Sequence, residues 1–358
     1  MVLVLFRHIT LPPDSAPGFS RFLANLLYEA GWAGVDLFFV LSGFLISGLL
    51  FREFQTHNRI DFKRFFIRRG LKIYPPFFVL IGATVGWALM NRWNLPLKRI
   101  FAELFFVQNY FEGLWSQTWS LAVEEHFYLM LPLLLILLAR LNPRAKDPFR
   151  SLVWIYPLLA LLVLALRLCT VWRAGVAPSD VGPFCFKYVF PTHLRIDSLF
   201  LGVLIGYAFH YRYQFLSNLV ARFKIGLVLF AVAALLPLCV WPMMTTPYHY
   251  TFGFTVTALG FAAVLLLGVT GQNDSNNTLV RLWAYVGAHS YSIYLWHMAV
   301  AMVLHMVFKR WHGAWWIEAG SYLAFSVIAG IVLAKLVDIP VLHIRDRWFP
   351  SRSQPLRP

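Results

Sequence analysis

Charged residues are scarce in this chain, and acidic residues are the scarcest of them. Asp, Glu, Lys and Arg together make up 13% of its 358 residues, whereas hydrophobic residues make up 59%. Soluble domains carry about 25% charged and about 45–50% apolar residues. A soluble core of this length cannot bury so much apolar surface. The composition therefore excludes an ordinary water-soluble protein and predicts an integral membrane protein.

Cysteine is also rare. The three cysteines, Cys169, Cys185 and Cys239, are far apart in the chain and form no CxxC pair. This pattern argues against a disulfide framework and against a zinc site, so we expect no metal. We also expect no secretory signal peptide, because the start MVLVLFRHIT has no basic region and no small-residue cleavage site. That start is typical of the end of a helix, and we expect the first span to be truncated.

Basic residues outnumber acidic ones by 31 to 16, which gives a net charge of +15. In a soluble protein this balance would suggest a nucleic-acid partner. In a membrane protein, basic residues set the orientation of the chain and need no polyanion. We therefore expect the lipid bilayer, and no nucleic acid, as the partner of this charge.

Apolar runs near the ~20 residues that cross a bilayer predict an all-α polytopic protein with about ten transmembrane helices. A further segment, 100–111, is apolar but too short to span, so it is predicted to be re-entrant or interfacial. We expect one transmembrane domain over 1–340 and a basic cytosolic tail over 341–358. The predicted spans are 1–9, 31–50, 75–91, 119–139, 151–171, 190–209, 225–241, 251–270, 283–308 and 316–337.

The distribution of Lys and Arg orients these spans. If the chain before residue 1 starts in the cytosol, the inner connecting segments hold 20 basic residues and the outer ones hold 8. Basic residues concentrate on the cytosolic side of membrane proteins. The sequence thus predicts a multi-pass protein of the cell (inner) membrane with both ends in the cytosol.

Seven ionisable residues from five of the predicted spans fall at a similar depth in the outer half of the membrane. Charges inside a bilayer are costly and often mark functional sites. A shared polar cavity is one interpretation, and structural ion pairs, such as Arg195 with Asp197 or with a glutamate, are the other. Histidine suits general base catalysis, although it also joins helices by hydrogen bonds. The seven are His8, Asp36, Glu124, Glu125, Arg195, Asp197 and His297.

A second concentration of charge lies in the predicted cytosolic segment RIDFKRFFIRRGLKIYPP, residues 59–76, which contains six basic residues. It can serve as a positive-inside loop that meets anionic lipid. Alternatively, Arg68, Arg69 and Lys72 lie within about a turn or so of a helix and can converge on one phosphate group.

Five segments, in order along the chain, carry a family resemblance. Together they resemble the motifs of the acyltransferase 3 family of multi-span membrane acyltransferases, and the resemblance covers nearly the whole chain. The segments are GWAGVDLFFVLSGFLIS (31–47), FKRFFIRRGLKIYPPFF (62–78), TWSLAVEEHFYLMLP (118–132), RIDSLFLG (195–202) and GAHSYSIYLWHMAV (287–300).

The resemblance implies an O-acyltransferase that moves acetyl or another acyl group from acyl-coenzyme A to a hydroxyl of an extracytoplasmic or lipid-linked carbohydrate. It assigns His8 to the family's catalytic histidine, and Arg69 and Lys72 to the basic motif proposed to hold the coenzyme. The family's first-span arginine, about ten residues before the histidine, would precede Met1. Lys72 stands where the family usually has arginine, and lysine lacks the two-pronged contact with phosphate.

These expectations combine into one mechanism. His8 removes the proton of the acceptor hydroxyl, with Glu124 or Asp36 orienting its ring, and Arg195 or a tyrosine stabilises the oxyanion. Glu125 and His297 complete the candidate catalytic set, and Arg68, Arg69 and Lys72 bind the donor. A proton-coupled transporter uses similar residue types, but the chain lacks the internal symmetry common in transporters. A structural assembly subunit is a third possibility.

Overall fold

The computed structural model describes residues 1–174, 180–271, 277–311 and 314–351. All regular elements in these ranges are helical, and eight helical stretches are long and apolar enough to cross a membrane. The shorter apolar helix Ile196–Tyr211 and the fragment Val2–Arg7 correspond to two further predicted spans. The prediction of an all-α polytopic membrane protein is confirmed.

Fifteen α-helices follow one another along the described ranges. They are α1 (Val2–Arg7), α2 (Gly18–Ala30), α3 (Ala33–His57), α4 (Phe62–Met90), α5 (Leu97–Leu104), α6 (Trp119–Leu141), α7 (Leu152–Ala174), α8 (Val181–Phe184), α9 (Ile196–Tyr211), α10 (Tyr213–Val240), α11 (Phe254–Thr270), α12 (Thr278–Ala288), α13 (Ser290–Trp311), α14 (Trp315–Leu333) and α15 (Ile339–Trp348). Single π-helical turns join α8 to the loop before α9, lead into α11, and link α14 to α15.

The packing of α3 against α9 holds the centre of the fold together, and small residues make it possible. A Cβ atom on Gly43 would collide with the carbonyl oxygen of Leu199, and one on Gly202 would collide with that of Val40. One on Gly206 would meet the Ser47 hydroxyl. Small residues therefore form the interface of these two helices, where close backbone approach replaces side-chain packing.

Most of the basic segment 59–76 belongs to a helix and not to a loop. Residues 62–90 make one continuous helix of 29 residues, with Pro75 and Pro76 in its interior. Asp61 caps this helix by accepting a hydrogen bond from the backbone N–H of Arg64 at 3.0 Å. At about 1.5 Å per residue, α4 is roughly 43 Å long, which exceeds the ~30 Å hydrocarbon core. Its basic first turns can thus lie outside the membrane while the same helix spans it.

The ninth predicted span, 283–308, is wrong at its start. The helix breaks at His289, whose Nδ1 atom lies 2.8 Å from the Tyr285 carbonyl oxygen, so α12 and α13 are separate. The helix α2, which packs against α1 and α10, was not predicted. Both differences concern breaks between neighbouring helices, which hydropathy does not detect.

The segment between α4 and α6 is partly buried, although it contains many polar residues. Glu103 at the end of α5 accepts hydrogen bonds from Leu114 N, Trp115 N and Thr118 Oγ1 at 2.9–3.1 Å. Burial raises the pKa of this carboxyl to about 7, against the effect of those three bonds. Of the predicted interfacial segment, only α5 is regular helix, and its chain then turns through Phe106 at a φ of 53°.

The predicted tail, 341–358, begins as helix. α15 covers Ile339–Trp348 and packs against α4. Residues 352–358 lie outside the described residues. The division of the chain at residue 340 stays a prediction.

Candidate active site

Two histidines from distant parts of the sequence lie side by side. His8 follows the last residue of α1, and its ring centroid is 5.1 Å from that of His297 on α13. The His297 side chain is completely buried. Its Nδ1 atom lies 2.5 Å from the Tyr294 carbonyl oxygen, which can only accept, so Nδ1 carries the hydrogen. Nε2 of His297 has no hydrogen-bond partner among the described residues, which leaves its lone pair available to accept a proton.

The helix that carries His297 is fixed to the start of α6. The Tyr294 hydroxyl donates to the carbonyl oxygen of Gln117 at 2.5 Å and lies 2.6 Å from Ser120 Oγ. Its ring stacks on Phe38 of α3 with centroids 6.3 Å apart. Three helices thus hold one side of the histidine pair, as a positioned base requires.

Glu124 belongs to a buried hydrogen-bonded chain that does not include His8. Its Oε2 atom accepts from Ser42 Oγ at 3.0 Å and from the Tyr128 hydroxyl. That hydroxyl in turn accepts from Arg69 Nη2 at 2.5 Å, and the Arg69 guanidinium lies 4.3 Å from the centre of the Tyr128 ring. We call Arg69, Tyr128, Glu124 and Ser42 the polar chain. It links α4 and α3 through α6.

The polar chain connects the basic first turns of α4 to the glutamate pair of α6. Arg69 lies only two turns from the first residue of α4, yet it reaches the carboxylate network through Tyr128. The segment before α6 is also buried, at Gln108, Gln117 and Thr118.

Glu125 points to another partner. Its Oε2 atom accepts from the Tyr74 hydroxyl of α4 at 2.9 Å. Each glutamate of the pair is therefore bonded to a tyrosine, and neither forms a hydrogen bond with His8 in the part of the chain that the structure describes. The prediction that Glu124 orients the His8 ring has no support in this geometry.

Asp36 and Arg195 pair with each other. Arg195 Nη2 lies 2.8 Å from Asp36 Oδ1, and both side chains are almost fully buried. The guanidinium also lies 3.6 Å from the centre of the Phe254 ring. Asp36 forms no hydrogen bond with His8 in the described ranges. The alternative of structural ion pairs thus fits Arg195, although its partner is Asp36, which we did not predict.

Asp197 pairs with Arg167, which we did not predict as a site residue. Arg167 Nη2 lies 2.6 Å from Asp197 Oδ1, and Arg167 also donates to the Leu194 carbonyl oxygen at 2.8 Å. Thr255 Oγ1 receives a hydrogen bond from Arg167 at 2.7 Å and donates to Asp197 at 2.9 Å. The sequence did carry a signal for this pair, namely an arginine within the apolar run 151–171. A charged residue in a membrane span needs a buried partner.

Basic residues from both ends of the chain line one cavity of about 160 Å³, which we call the basic pocket. The three predicted donor-binding residues all line it, so their predicted convergence is found in the structure. Arg64 and Arg345 were not predicted as part of this set. The lining residues are Leu49, Leu50, Glu53, Arg64, Phe65, Arg68, Arg69, Lys72, Arg345 and Ser351. Through Arg69, the basic pocket is continuous with the polar chain.

The fold and these sites define a polytopic helical membrane protein with a pair of adjacent histidines and a basic pocket at one end of its helices. The family model described as "Acyltransferase domain" matches residues 1–335. The chain belongs to the acyltransferase 3 family, as the five motifs indicated.

Curated relatives carry related names. The chain is 28% identical over 355 residues to "Putative peptidoglycan O-acetyltransferase YrhL" of Bacillus subtilis, covering 91% of this chain and 52% of that protein. It is 29% identical over 312 residues to "Putative O-acetyltransferase SACOL0978" of Staphylococcus aureus, covering 77% and 47%. It is 27% identical over 307 residues to "O-acetyltransferase OatA" of the same species, covering 79% and 48%. The chain thus spans about half the length of these relatives. No solved structure matches it.

Proposed function

We propose that this chain transfers an acetyl or similar acyl group from acyl-coenzyme A to a hydroxyl of an extracytoplasmic or lipid-linked carbohydrate. The observation that carries this proposal is the continuity between the basic pocket and the polar chain, made by Arg69. A phosphate-bearing donor can bind its charged end in the pocket while its long uncharged arm extends along the helices. The names of the relatives make a cell-wall polysaccharide such as peptidoglycan the preferred acceptor.

In the proposed reaction, the acceptor oxygen attacks the thioester carbonyl carbon of the donor. His8 takes the proton of the acceptor hydroxyl, the carbon–sulfur bond breaks, and the coenzyme thiolate leaves and recovers a proton. The neighbouring His297 has an unpartnered Nε2 atom with which it can assist. Because His297 is buried and fixed through Nδ1, we assign it to positioning and His8 to the proton transfer.

The direct test is turnover of acetyl-coenzyme A by the purified protein in detergent, measured as release of free thiol. Transferase activity requires thiol release that increases with added peptidoglycan fragments, together with acetyl groups recovered on the acceptor. A proton-coupled transporter would produce neither, so an inactive but well-folded preparation would contradict the proposal.

The proposed direction of transfer requires both natural ends of the chain to lie in the cytosol of a cell with this protein in its inner membrane. The warrant is the excess of basic residues in the inner segments. In intact cells, an impermeant thiol reagent should label Asp180→Cys but neither Thr56→Cys nor Phe215→Cys. The unsubstituted protein supplies the background from its three native cysteines. The reverse pattern would invert the topology.

Lys72 and Arg69 are proposed to bind the donor's phosphates. Losing one charge-assisted hydrogen bond costs about 1.5–3 kcal/mol, or roughly tenfold or more in affinity. Lys72→Ala should therefore raise the KM for acetyl-coenzyme A about tenfold. Arg69→Ala should raise KM and also lower kcat, because it opens the polar chain. Steady-state kinetics measures both.

Lys63→Ala is the matched control, since Lys63 is exposed on the same helix and does not line the basic pocket. It should leave KM unchanged. If all three variants keep the wild-type KM and only membrane insertion declines, these basic residues serve orientation in the membrane.

A further inference from the structure

The basic pocket is closed on one side by the C-terminal helix. Arg345 of α15 lines the cavity beside Arg68 of α4, although the two residues are far apart in the sequence. The Arg345 side chain is 16% exposed and the Arg68 side chain 21% exposed, so both guanidinium groups are largely enclosed. Two partly buried positive charges side by side repel each other unless an anion lies between them.

A carboxylate occupies that position. Oδ1 of Asp346 lies 3.1 Å from Arg68 Nη2 and 2.9 Å from Arg345 Nη2. Arg345 also donates from Nε to Oδ1 and from Nη2 to Oδ2, both at 2.9 Å. One carboxylate thus contacts guanidinium groups from two helices. Planar guanidinium groups bind phosphate oxygens by the same geometry.

The chain after α15 continues over the same surface. The carbonyl oxygen of Phe349 accepts from Arg68, and that of Pro350 accepts from Arg64. The contacts of Asp346, Phe349 and Pro350 therefore use donors of α4 that line the basic pocket. None of these contacts was foreseen, because the sequence places the segment in a tail.

We propose that Arg68 and Arg345 together form an anion-binding position, and that Asp346 fills it until a phosphate of the donor displaces the carboxylate. This rests on the proposed function, since that function supplies the phosphate. Asp346 is 51% exposed, and ion pairs that exposed hold their partners weakly. A phosphate offers more negative charge and three acceptor oxygens, so it competes effectively for the same two guanidinium groups.

The test measures binding of coenzyme A and of inorganic pyrophosphate to the purified full chain by titration calorimetry. Asp346→Asn should bind both ligands about two- to fivefold more tightly, because the competing carboxylate is gone. Arg345→Gln should bind both about tenfold more weakly, and Arg345→Lys should recover part of the loss. Competition by the carboxylate is overturned if Asp346→Asn weakens binding, since Asp346 would then only organise the pocket.

Two control variants separate the effect of the anion-binding position from the effect of the protein's net charge. Arg347→Gln removes a charge from an exposed residue of the same helix that does not line the pocket, and should leave binding unchanged. Asp147→Asn removes one acidic charge from a residue that does not line the pocket, and should also leave binding unchanged. Asp147 lies near the end of α3 that contributes to the pocket, because the neighbouring Phe149 packs on Phe54 of α3.

The remaining outcomes separate this inference from the proposed function. If Lys72→Ala weakens coenzyme A binding but Arg345→Gln does not, the donor site stands and the contribution of α15 is wrong. If the wild type binds pyrophosphate through Arg345 but never releases thiol from acetyl-coenzyme A, the anion position stands and the transferase proposal fails.

Discussion

Replacement of His8 by alanine is expected to reduce acyl transfer by about 10²–10⁴-fold, the usual contribution of a positioned general base. The family motif assigns this histidine, and the structure places its ring beside that of buried His297. Coenzyme A binding should be unchanged in His8→Ala, because the basic pocket is formed by other residues. The thermal stability should also be close to wild type, since no hydrogen bond of the His8 ring supports the described structure.

His297 provides the matched comparison. Its Nδ1–H is bonded to the Tyr294 carbonyl oxygen inside the protein, so His297→Ala removes a buried bond and leaves a cavity. We expect His297→Ala to lose stability together with activity, whereas His8→Ala loses activity alone. Kinetics and thermal unfolding of both variants in one detergent measure the difference. Substantial turnover by His8→Ala, with His297→Ala folded and inactive, would move the base to His297.

Much of this fold could be predicted because membrane spans depend on few variables. Apolar length sets where a helix can cross, and the basic residues set its direction, so spans such as 151–171 and 225–241 correspond to α7 and α10. The close packing of α3 on α9 depends on Gly43 and Gly202, which leave room for the facing backbone. Breaks such as the one at His289 depend on tertiary contacts and left no signal in hydropathy.

The residues of the candidate site could be predicted from the sequence, but most of the pairs that they form could not. All the candidate residues are placed in the described structure, but depth alone does not determine which side chains meet. Arg195 could have paired with Asp197, two residues along the chain, yet in the packing of α9 against α3 it contacts Asp36. We did not predict the contacts of Asp346 and Arg345, because their segment has the polar and basic composition of a tail. Only the tertiary structure brings this segment to α4.

Asp36→Ala is expected to cause the largest loss of stability of any single change considered. It would leave the Arg195 guanidinium buried without its carboxylate, and breaking a buried ion pair in this way costs about 3–5 kcal/mol. The net stability of a typical domain is only about 5–15 kcal/mol, so this loss is a large part of it. The amount of folded protein recovered in detergent should therefore fall sharply. Size-exclusion chromatography and thermal unfolding measure that loss.

The double variant Asp36→Leu with Arg195→Met decides what the pair does. Replacing both partners of a buried ion pair by apolar residues of similar size is often neutral or stabilising. If the pair is structural, as its mutual contact indicates, the double variant should recover folded protein, and turnover per folded molecule should approach wild type. The single variants Asp36→Leu and Arg195→Met form, with the double variant, a cycle that measures the coupling between the two residues. A double variant that folds well, binds coenzyme A and fails to turn over would instead return Asp36 and Arg195 to the catalytic machinery, with Arg195 as the group that stabilises the oxyanion.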